Sequence, residues 1–227
     1  ALDYASNFCP LEEYYEICSK YGVKLIYDAA HSFGSIDFKR LKYCDAAMFS
    51  FDPIKTLTCI DAGLIYFQDP KLISSTKPKR FIGMEQNELK LKLNKRTWDY
   101  DCTKEGWRYH LSNIHASVGL AQIERLNEIK EKRINALKFI RNLVNSENLP
   151  IKFYEWDKSM IPFMNVAIVE SELKEKLRGF LDINNIQSGT HWKPGHLFTK
   201  FKSYKYEGCE NANNLYNKLI SLPLYTD

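Results

Sequence analysis

Four side chains that could do chemistry stand at or near the ends of strand-like segments: Asp28, His31, Ser50 and Lys55. Asp28 directly follows the apolar run "VKLIY", and His31 comes three residues later. Ser50 ends the run "DAAMFS", and Lys55 lies between that run and "GLIYF". Because α/β folds bind ligands at the carboxyl ends of parallel strands, this spacing predicts one shared site.

The residue types in this site suit one cofactor. Lys55 lies between two apolar runs, so its amine should be partly desolvated, with a lowered pKa and the capacity to form a Schiff base. Pyridoxal 5'-phosphate (PLP) needs such a lysine for its aldehyde, an acid such as Asp28 for its ring nitrogen, and donors such as Ser50 for its phosphate. Taken singly, each residue keeps an alternative: Asp28 could cap a turn, His31 could be packed, and Lys55 could be a solvated surface group.

The surrounding pattern predicts an α/β arrangement. The segment "PLEEYYEICSKYG" has helical periodicity, with Leu11, Tyr14, Ile17, Cys18 and Tyr21 on one face and Gly22 as its C-cap. The runs "VKLIY", "DAAMFSF" and "GLIYF" predict short buried strands. Residues 68–105 are polar and predict a surface excursion with a short helix.

The second half of the chain predicts a long helix and then a smaller α+β unit. Apolar residues recur with helical spacing from Ser112 to about Val144, a length that predicts a kink or break. After "ENLP", the segment "FMNVAIV" predicts a strand, and "SELKEKLRGFLDINN" and "NANNLYNKLI" predict helices.

Composition narrows the class of protein. The chain has 227 residues, 44% of them hydrophobic and 26% charged, with a net charge of +4, which is typical of a globular domain. Lysines alternate with acids, which disfavours nucleic-acid binding, and neither a membrane span nor a signal peptide is visible. The six cysteines have no metal-binding spacing, so we expect reduced thiols, a cytoplasmic protein and no metal site.

Five segments, in order, resemble a known family. "LIYDAAHSFGS", "FSFDPIKTLTCIDAGL" and "GWRYHLSNIHASVGLAQIERL" are similar to successive blocks of the DegT/DnrJ-type sugar aminotransferases, which are fold-type I PLP enzymes of the aspartate aminotransferase superfamily. "SGTHWKPGHL" and "SLPLY" resemble two later blocks. The resemblance implies an α/β fold with a partial, mostly parallel PLP-binding large domain over residues 1–111, a connecting helix over 112–149 and a small α+β domain over 150–227.

The resemblance also implies roles for the four residues. By position, Asp28 pairs with the pyridine nitrogen, His31 lies near the ring hydroxyl, Ser50 binds the phosphate, and Lys55 forms the Schiff base and carries the proton. Related dehydratases have histidine in place of this lysine, so Lys55 favours transamination.

Two blocks depart from the family pattern. The usual "GEGG" reads Ile-Asp-Ala-Gly at 60–63, and the usual "GYNYR" reads Gly-Trp-Arg-Tyr-His at 106–110. Arg108 replaces the asparagine that reaches a neighbouring subunit's cofactor, and His110 replaces an arginine. We expect Arg108 to bind the cofactor phosphate across a homodimer interface, with a surface ion pair as the alternative.

The implied function is PLP-dependent transfer of an amino group, with glutamate as donor, to a nucleotide-linked keto sugar. This reaction belongs to amino-sugar biosynthesis for lipopolysaccharide or another polysaccharide. His191 and His196 lie in a block that borders the family's active site, so they are expected to contact substrate or else to form a structural turn. Family members are much longer, so the alternative is a truncated, inactive remnant or a partner-dependent fragment. A noncatalytic α/β binding module would require Asp28 and Lys55 to be accidental.

Overall fold

The computed structural model describes residues 1–85, 101–204 and 206–226, which fold as two compact units. The first unit comprises Ala1–Leu2 and Pro10–Glu124, and the second comprises Asp3–Cys9 and Arg125–Asp227. Residues 86–100 of the predicted surface excursion lie outside the described residues. None of the helices described is both long and apolar enough to cross a membrane.

The first unit is built on a three-stranded sheet in the order β1-β2-β3. Its strands are β1 (Ile26–Asp28), β2 (Ala46–Ser50) and β3 (Gly63–Phe67). β1 and β2 are parallel, whereas β2 and β3 are antiparallel. The three apolar runs therefore form strands of one sheet, as the sequence predicts, and β1 and β2 end at the same edge.

The two faces of this sheet differ in burial. Side chains alternate between the faces of a strand, and one face buries Tyr27, Ala47 and Phe49. The opposite face is apolar but exposed: Ile26 is 55%, Met48 41% and Ile65 63% exposed. Within the part of the first unit that the structure describes, this face of the sheet is therefore exposed.

In the described part of the first unit, three α-helices, a 3-10 helix (Phe38–Tyr43) and a short strand pair accompany this sheet. The helices are α1 (Leu11–Lys20), α2 (Pro70–Thr76) and α3 (Asn113–Glu124), and β4 (Met84–Glu85) pairs antiparallel with β5 (Asp101–Cys102). Gly22 follows α1 with φ +65°, as expected for its C-cap. The predicted helix is confirmed, and of the residues that share one of its faces Leu11 is buried, whereas Tyr14, Ile17 and Tyr21 are exposed.

The predicted long helix is divided. α3 ends at Glu124, and α4 (Leu126–Ser146) begins after Arg125, whose φ of −93° and ψ of 5° are not helical. The break that the sequence predicts in this segment thus falls at Arg125, where the boundary between the two units also lies.

The second unit combines an antiparallel sheet with helices. Its strands are β6 (Lys152–Phe153), β7 (Asn165–Ile168) and β8 (Leu219–Leu222), and α5 (Ser171–Ile183) and α6 (Glu210–Lys218) follow the predicted helical segments. Ala167, Val169 and Ile220 form a core cluster, against which Leu177 and Leu181 of α5 pack. β8 is missed by the sequence pattern, because "NKLISL" continues the helical spacing of α6 although the backbone becomes extended at Leu219.

Candidate active site

Asp28 and Ser50 lie on the same face of the first unit's sheet. Asp28 ends β1 and is paired in register with Met48 of β2, and Ser50 follows Met48 by two residues. Because side chains two residues apart in a strand project from the same face, the carboxylate and the hydroxyl share the face that is open in this unit. The strand ends thus bring together two of the predicted site residues.

Backbone contacts fix the position of Asp28. Its N–H donates to the carbonyl of Ala1 at 2.8 Å, and its Oδ1 accepts from the N–H of Ala30 at 3.1 Å. Asp28 therefore does cap the turn, as its alternative interpretation in the sequence predicts. It orients the half-buried carboxylate at the end of β1 and is compatible with a second role.

His31 lies in the turn that follows β1, where it is buried. The same turn carries Phe33, whose ring packs edge-on against Phe49 at 5.8 Å and Phe51 at 4.8 Å between centroids. Phe33 therefore joins the turn to β2 and to the segment that leads to Lys55. The sequence analysis did not identify Phe33, although phenylalanines at 33, 49 and 51, near the ends of two predicted strands, were a visible signal.

Lys55 lies in a loop that is closed at its base. Within this Lys55 loop (residues 51–62), the N–H of Phe51 donates to Ala62 O at 2.8 Å, and the N–H of Cys59 donates to Phe51 O at 2.9 Å. The side chains of Leu57 and Cys59 are buried. The loop is thus anchored by its base and by its second half, with Lys55 between its exposed tip and these buried residues.

The environment of Lys55 lowers the pKa of its ammonium group. Desolvation by burial lowers the pKa of the Lys55 ammonium below its ordinary value, and the negative charges of Asp52 and Asp28 oppose this effect in part. Desolvation is the larger influence. Of the two carboxylates, Asp52 has the larger and Asp28 the smaller opposing effect on the Lys55 pKa.

The Ser50 hydroxyl accepts one local hydrogen bond, and its binding of an anion stays a prediction. Its Oγ accepts from the N–H of Asp52 at 3.4 Å. A hydroxyl that accepts such a bond can still donate its own hydrogen to a phosphate oxygen. Amine, carboxylate and hydroxyl thus match the aldehyde, ring nitrogen and phosphate of PLP in chemical type.

Arg108 lies in an exposed segment of the first unit. Its neighbours Trp107 and Tyr109 bond through their backbones to Ile82 and Arg80, and their rings stack at 6.1 Å with an interplanar angle of 10°. Arg108 is thus flanked in sequence by two exposed aromatic residues whose rings stack on each other. This exposure suits a contact with another subunit, and that role stays a prediction.

His191 and His196 lie in the second unit, and each ring is held there by a hydrogen bond. His191 Nδ1 is 2.7 Å from Ser221 Oγ, and Tyr4 OH donates to the His191 carbonyl at 2.6 Å. His196 Nε2 is 2.8 Å from Asn213 Oδ1. These bonds favour the structural interpretation of the turn, and substrate contact stays a prediction for both residues.

Comparison with known proteins gives one consistent result. The sequence profile of the DegT/DnrJ/EryC1/StrS aminotransferase family matches residues 1–227. Two Campylobacter jejuni proteins named UDP-4-amino-4,6-dideoxy-N-acetyl-beta-L-altrosamine transaminase are each 27% identical to the chain, over 234 and 233 residues. Both alignments cover 100% of this chain and 60% of the relative, so the chain spans about 60% of the length of these relatives.

Solved structures show the same fold. Helicobacter pylori PseC, an aminotransferase involved in the biosynthesis of pseudoaminic acid, superposes with a TM-score of 0.86 at 20% identity, covering 100% of this chain and 61% of that protein. The PLP form of a putative sugar aminotransferase from Streptococcus pneumoniae superposes with a TM-score of 0.80 at 19% identity, covering 99% of this chain and 62% of that one. The first unit thus contains part of a PLP-dependent transferase fold.

Proposed function

The chain belongs to the DegT/DnrJ/EryC1/StrS aminotransferase family, and on this premise we propose that it carries the lysine half of a sugar aminotransferase site. PLP is the cofactor of this family, and the solved neighbours include a PLP form and a PMP form. The observation that carries the proposal is the partly desolvated amine of Lys55, whose pKa responds to Asp28. This arrangement provides a nucleophilic amine beside the acid that the cofactor requires.

Each of three residues has a definite task in this proposal. Bound PLP supplies an aldehyde for the lysine and a ring that withdraws electrons from the amine-bearing carbon. The Asp28 carboxylate would hold a proton on the ring nitrogen, and the Ser50 hydroxyl would donate to the phosphate. Lys55 Nζ would take the proton from the amine-bearing carbon of the donor and would later deliver a proton to the acceptor carbon that receives the amino group. His31, buried in the turn after Asp28, would contact the ring hydroxyl.

For the substrate, we infer a nucleotide-linked keto sugar as amino acceptor and glutamate as donor. The activity named for the Campylobacter jejuni relatives supports a UDP-linked sugar. The product would be an amino sugar for lipopolysaccharide or another polysaccharide. The cysteines at all six positions are free thiols, which supports a reducing compartment such as the cytoplasm. A homodimer would place Arg108 beside the neighbouring subunit's cofactor.

The test is to trap the cofactor on the chain. In the protein at its natural length, borohydride reduction should leave a pyridoxyl group on Lys55, which peptide mapping by mass spectrometry can locate. Lys55→Arg should abolish the label, whereas Lys39→Arg, at an exposed lysine of the same unit, should retain it. A label on another lysine, or none in the unaltered protein, would refute the proposal.

A second candidate is a partner-dependent or inactive fragment. It is favoured by the exposed apolar sheet face of the first unit and by the 60% coverage of the relatives. Exposed strand faces and edges leave apolar surface in water and reduce stability. If this candidate holds, the 227 residues expressed alone should melt with low cooperativity and bind PLP poorly. A cooperative melt with stoichiometric PLP would show that these residues suffice and would exclude it.

A further inference from the structure

A glycine of α3 lies against the base of the Lys55 loop. Gly119 is buried, and a Cβ atom at this position would lie 2.4 Å from Cys59 Sγ and 3.7 Å from Cys59 Cβ. The first distance is far inside van der Waals contact, whereas the second is an ordinary contact. Only the absence of a side chain at 119 therefore permits the present approach of α3 to Cys59.

The backbone of Cys59 is held beside α3. Its N–H donates to Phe51 O at 2.9 Å, its carbonyl accepts from the N–H of Asp61 at 2.9 Å, and its side chain is buried. Because interiors are close-packed, a side chain inserted here forces neighbouring atoms to shift. The atoms that would shift are the buried Sγ, by rotation, and the base of the loop that carries Lys55 four residues earlier.

The helix gains nothing locally from a glycine at 119. Glycine in a helix interior is less favourable than alanine, so a buried helical glycine calls for a packing reason. Gly179 in α5 offers the contrast, because no atom lies within 4 Å of the position its Cβ would occupy. At position 119 the packing reason is visible, and it is the Cys59 sulfur.

From this contact we propose that Gly119 is a positioning residue for Lys55. It lets α3 close on Cys59, and Cys59 sets the position of the Lys55 loop and therefore of the amine. The inference rests on the proposed function for the role of Lys55, while the contact itself can be tested without cofactor.

Four variants of the protein at its natural length test it: Gly119→Ala, Cys59→Ala, the double variant, and Gly179→Ala as matched control. Gly119→Ala should weaken PLP binding and lower kcat roughly fivefold to a hundredfold, with a smaller change in the KM for the amino donor. Cys59→Ala removes the sulfur without creating a clash, so it is the reference with which the double variant is compared. The double variant should recover most of the loss, because removal of Sγ leaves only the 3.7 Å contact. Gly179→Ala should leave all of these values unchanged.

Three outcomes decide against the inference. It fails if Gly119→Ala binds PLP and labels at Lys55 as the unaltered protein does, or if the double variant stays as impaired as Gly119→Ala. It also fails if Gly119→Ala lowers only the melting temperature while the folded protein keeps its kcat and PLP affinity, since that is a merely structural effect. Should Gly119→Ala not fold, recovery of folding and Lys55 labelling in the double variant supports the inference, and no recovery refutes it.

The proposed function can fail separately. If the unaltered protein is not labelled at Lys55, the proposed function is refuted and the role of Gly119 falls with it. The melting temperatures of the four cofactor-free variants still report whether residues 59 and 119 are coupled. Coupling without labelling would therefore locate the error in the chemistry assigned to Lys55.

Discussion

The protein should be more stable with glycine than with alanine at position 60, which lies at the base of the Lys55 loop. The backbone of Ile60 has φ +69°, in the left-handed region where β-branched residues are rare outliers. This conformation costs a residue with a Cβ atom about 1–2 kcal/mol relative to right-handed backbone. Glycine does not have this cost, but it makes the unfolded chain more flexible, which offsets about 0.4–1 kcal/mol.

A comparison of Ile60→Gly with Ile60→Ala isolates the backbone. Both variants remove the isoleucine side chain, which is 44% exposed, so the loss of apolar burial largely cancels. The backbone cost that glycine avoids exceeds the free energy lost to a more flexible unfolded chain, so Ile60→Gly should be more stable than Ile60→Ala by about 1 kcal/mol. In a chain of this size that difference corresponds to about 2–4 °C in Tm.

The assay is chemical denaturation of the cofactor-free protein, with Ile54 as the matched control site. Ile54 lies in the same loop, is 60% exposed and is not among the residues with positive φ. At this position, Ile54→Ala should be at least as stable as Ile54→Gly, because glycine loses more conformational freedom on folding than alanine does. If Ile60→Ala proves as stable as Ile60→Gly, the left-handed backbone does not strain this loop and the reasoning is refuted.

Three further predictions concern charged residues. Mixed dimers of Lys55→Ala and Arg108→Ala should be more active than either variant alone, because one site then holds both substitutions and the other holds neither. Mixed dimers that form without recovering activity would contradict a role of Arg108 in the neighbouring site. Loss of the Arg108 contact should weaken PLP binding by roughly tenfold to a hundredfold. Arg133→Leu removes the guanidinium that donates to two backbone carbonyls, so it should lower the free energy of unfolding by about 1–3 kcal/mol. The control Arg178→Leu removes one partner of an exposed ion pair and should change the free energy of unfolding by less than about 1 kcal/mol. Burial lowers the Lys55 pKa in the folded protein, so the unfolded chain binds more protons as pH approaches the ordinary lysine pKa. Lys55→Met should therefore be more stable than the unaltered protein at neutral pH, and this difference in the free energy of unfolding should shrink as pH rises. A difference that does not change with pH in denaturation curves would contradict this prediction.

Much of the first unit could be predicted from sequence because its signals are local. Short apolar runs bounded by turn residues gave β1, β2 and β3, and the polar residues at their ends gave Asp28 and Ser50. Burial was harder to predict, because periodicity shows which residues share a face but not whether another element covers it. Thus the face of α1 that carries Tyr14 and Ile17 is regular in sequence, yet it is exposed in this unit.

The remaining features of the site depend on residues that are distant in sequence. Phe33 matters because its ring meets Phe51, and Gly119 matters because it meets Cys59, sixty positions away. No local pattern indicates which cysteine faces which glycine. The departure from the family's usual glycine at Ile60 was visible in the sequence, but only the backbone shows that the left-handed conformation is kept without glycine.

These contacts indicate where the position of the Lys55 amine is decided. The strain at Ile60 opposes the observed loop conformation, so buried side chains at the base must outweigh it; Phe51, Leu57 and Cys59 are the residues placed to do so. The tip, by contrast, is exposed, and the Lys55 N–H donates to Asp52 O at 3.0 Å in a turn. Substitutions at the base should therefore displace the amine more than substitutions at the exposed tip, even though the tip is nearer to Lys55 in sequence.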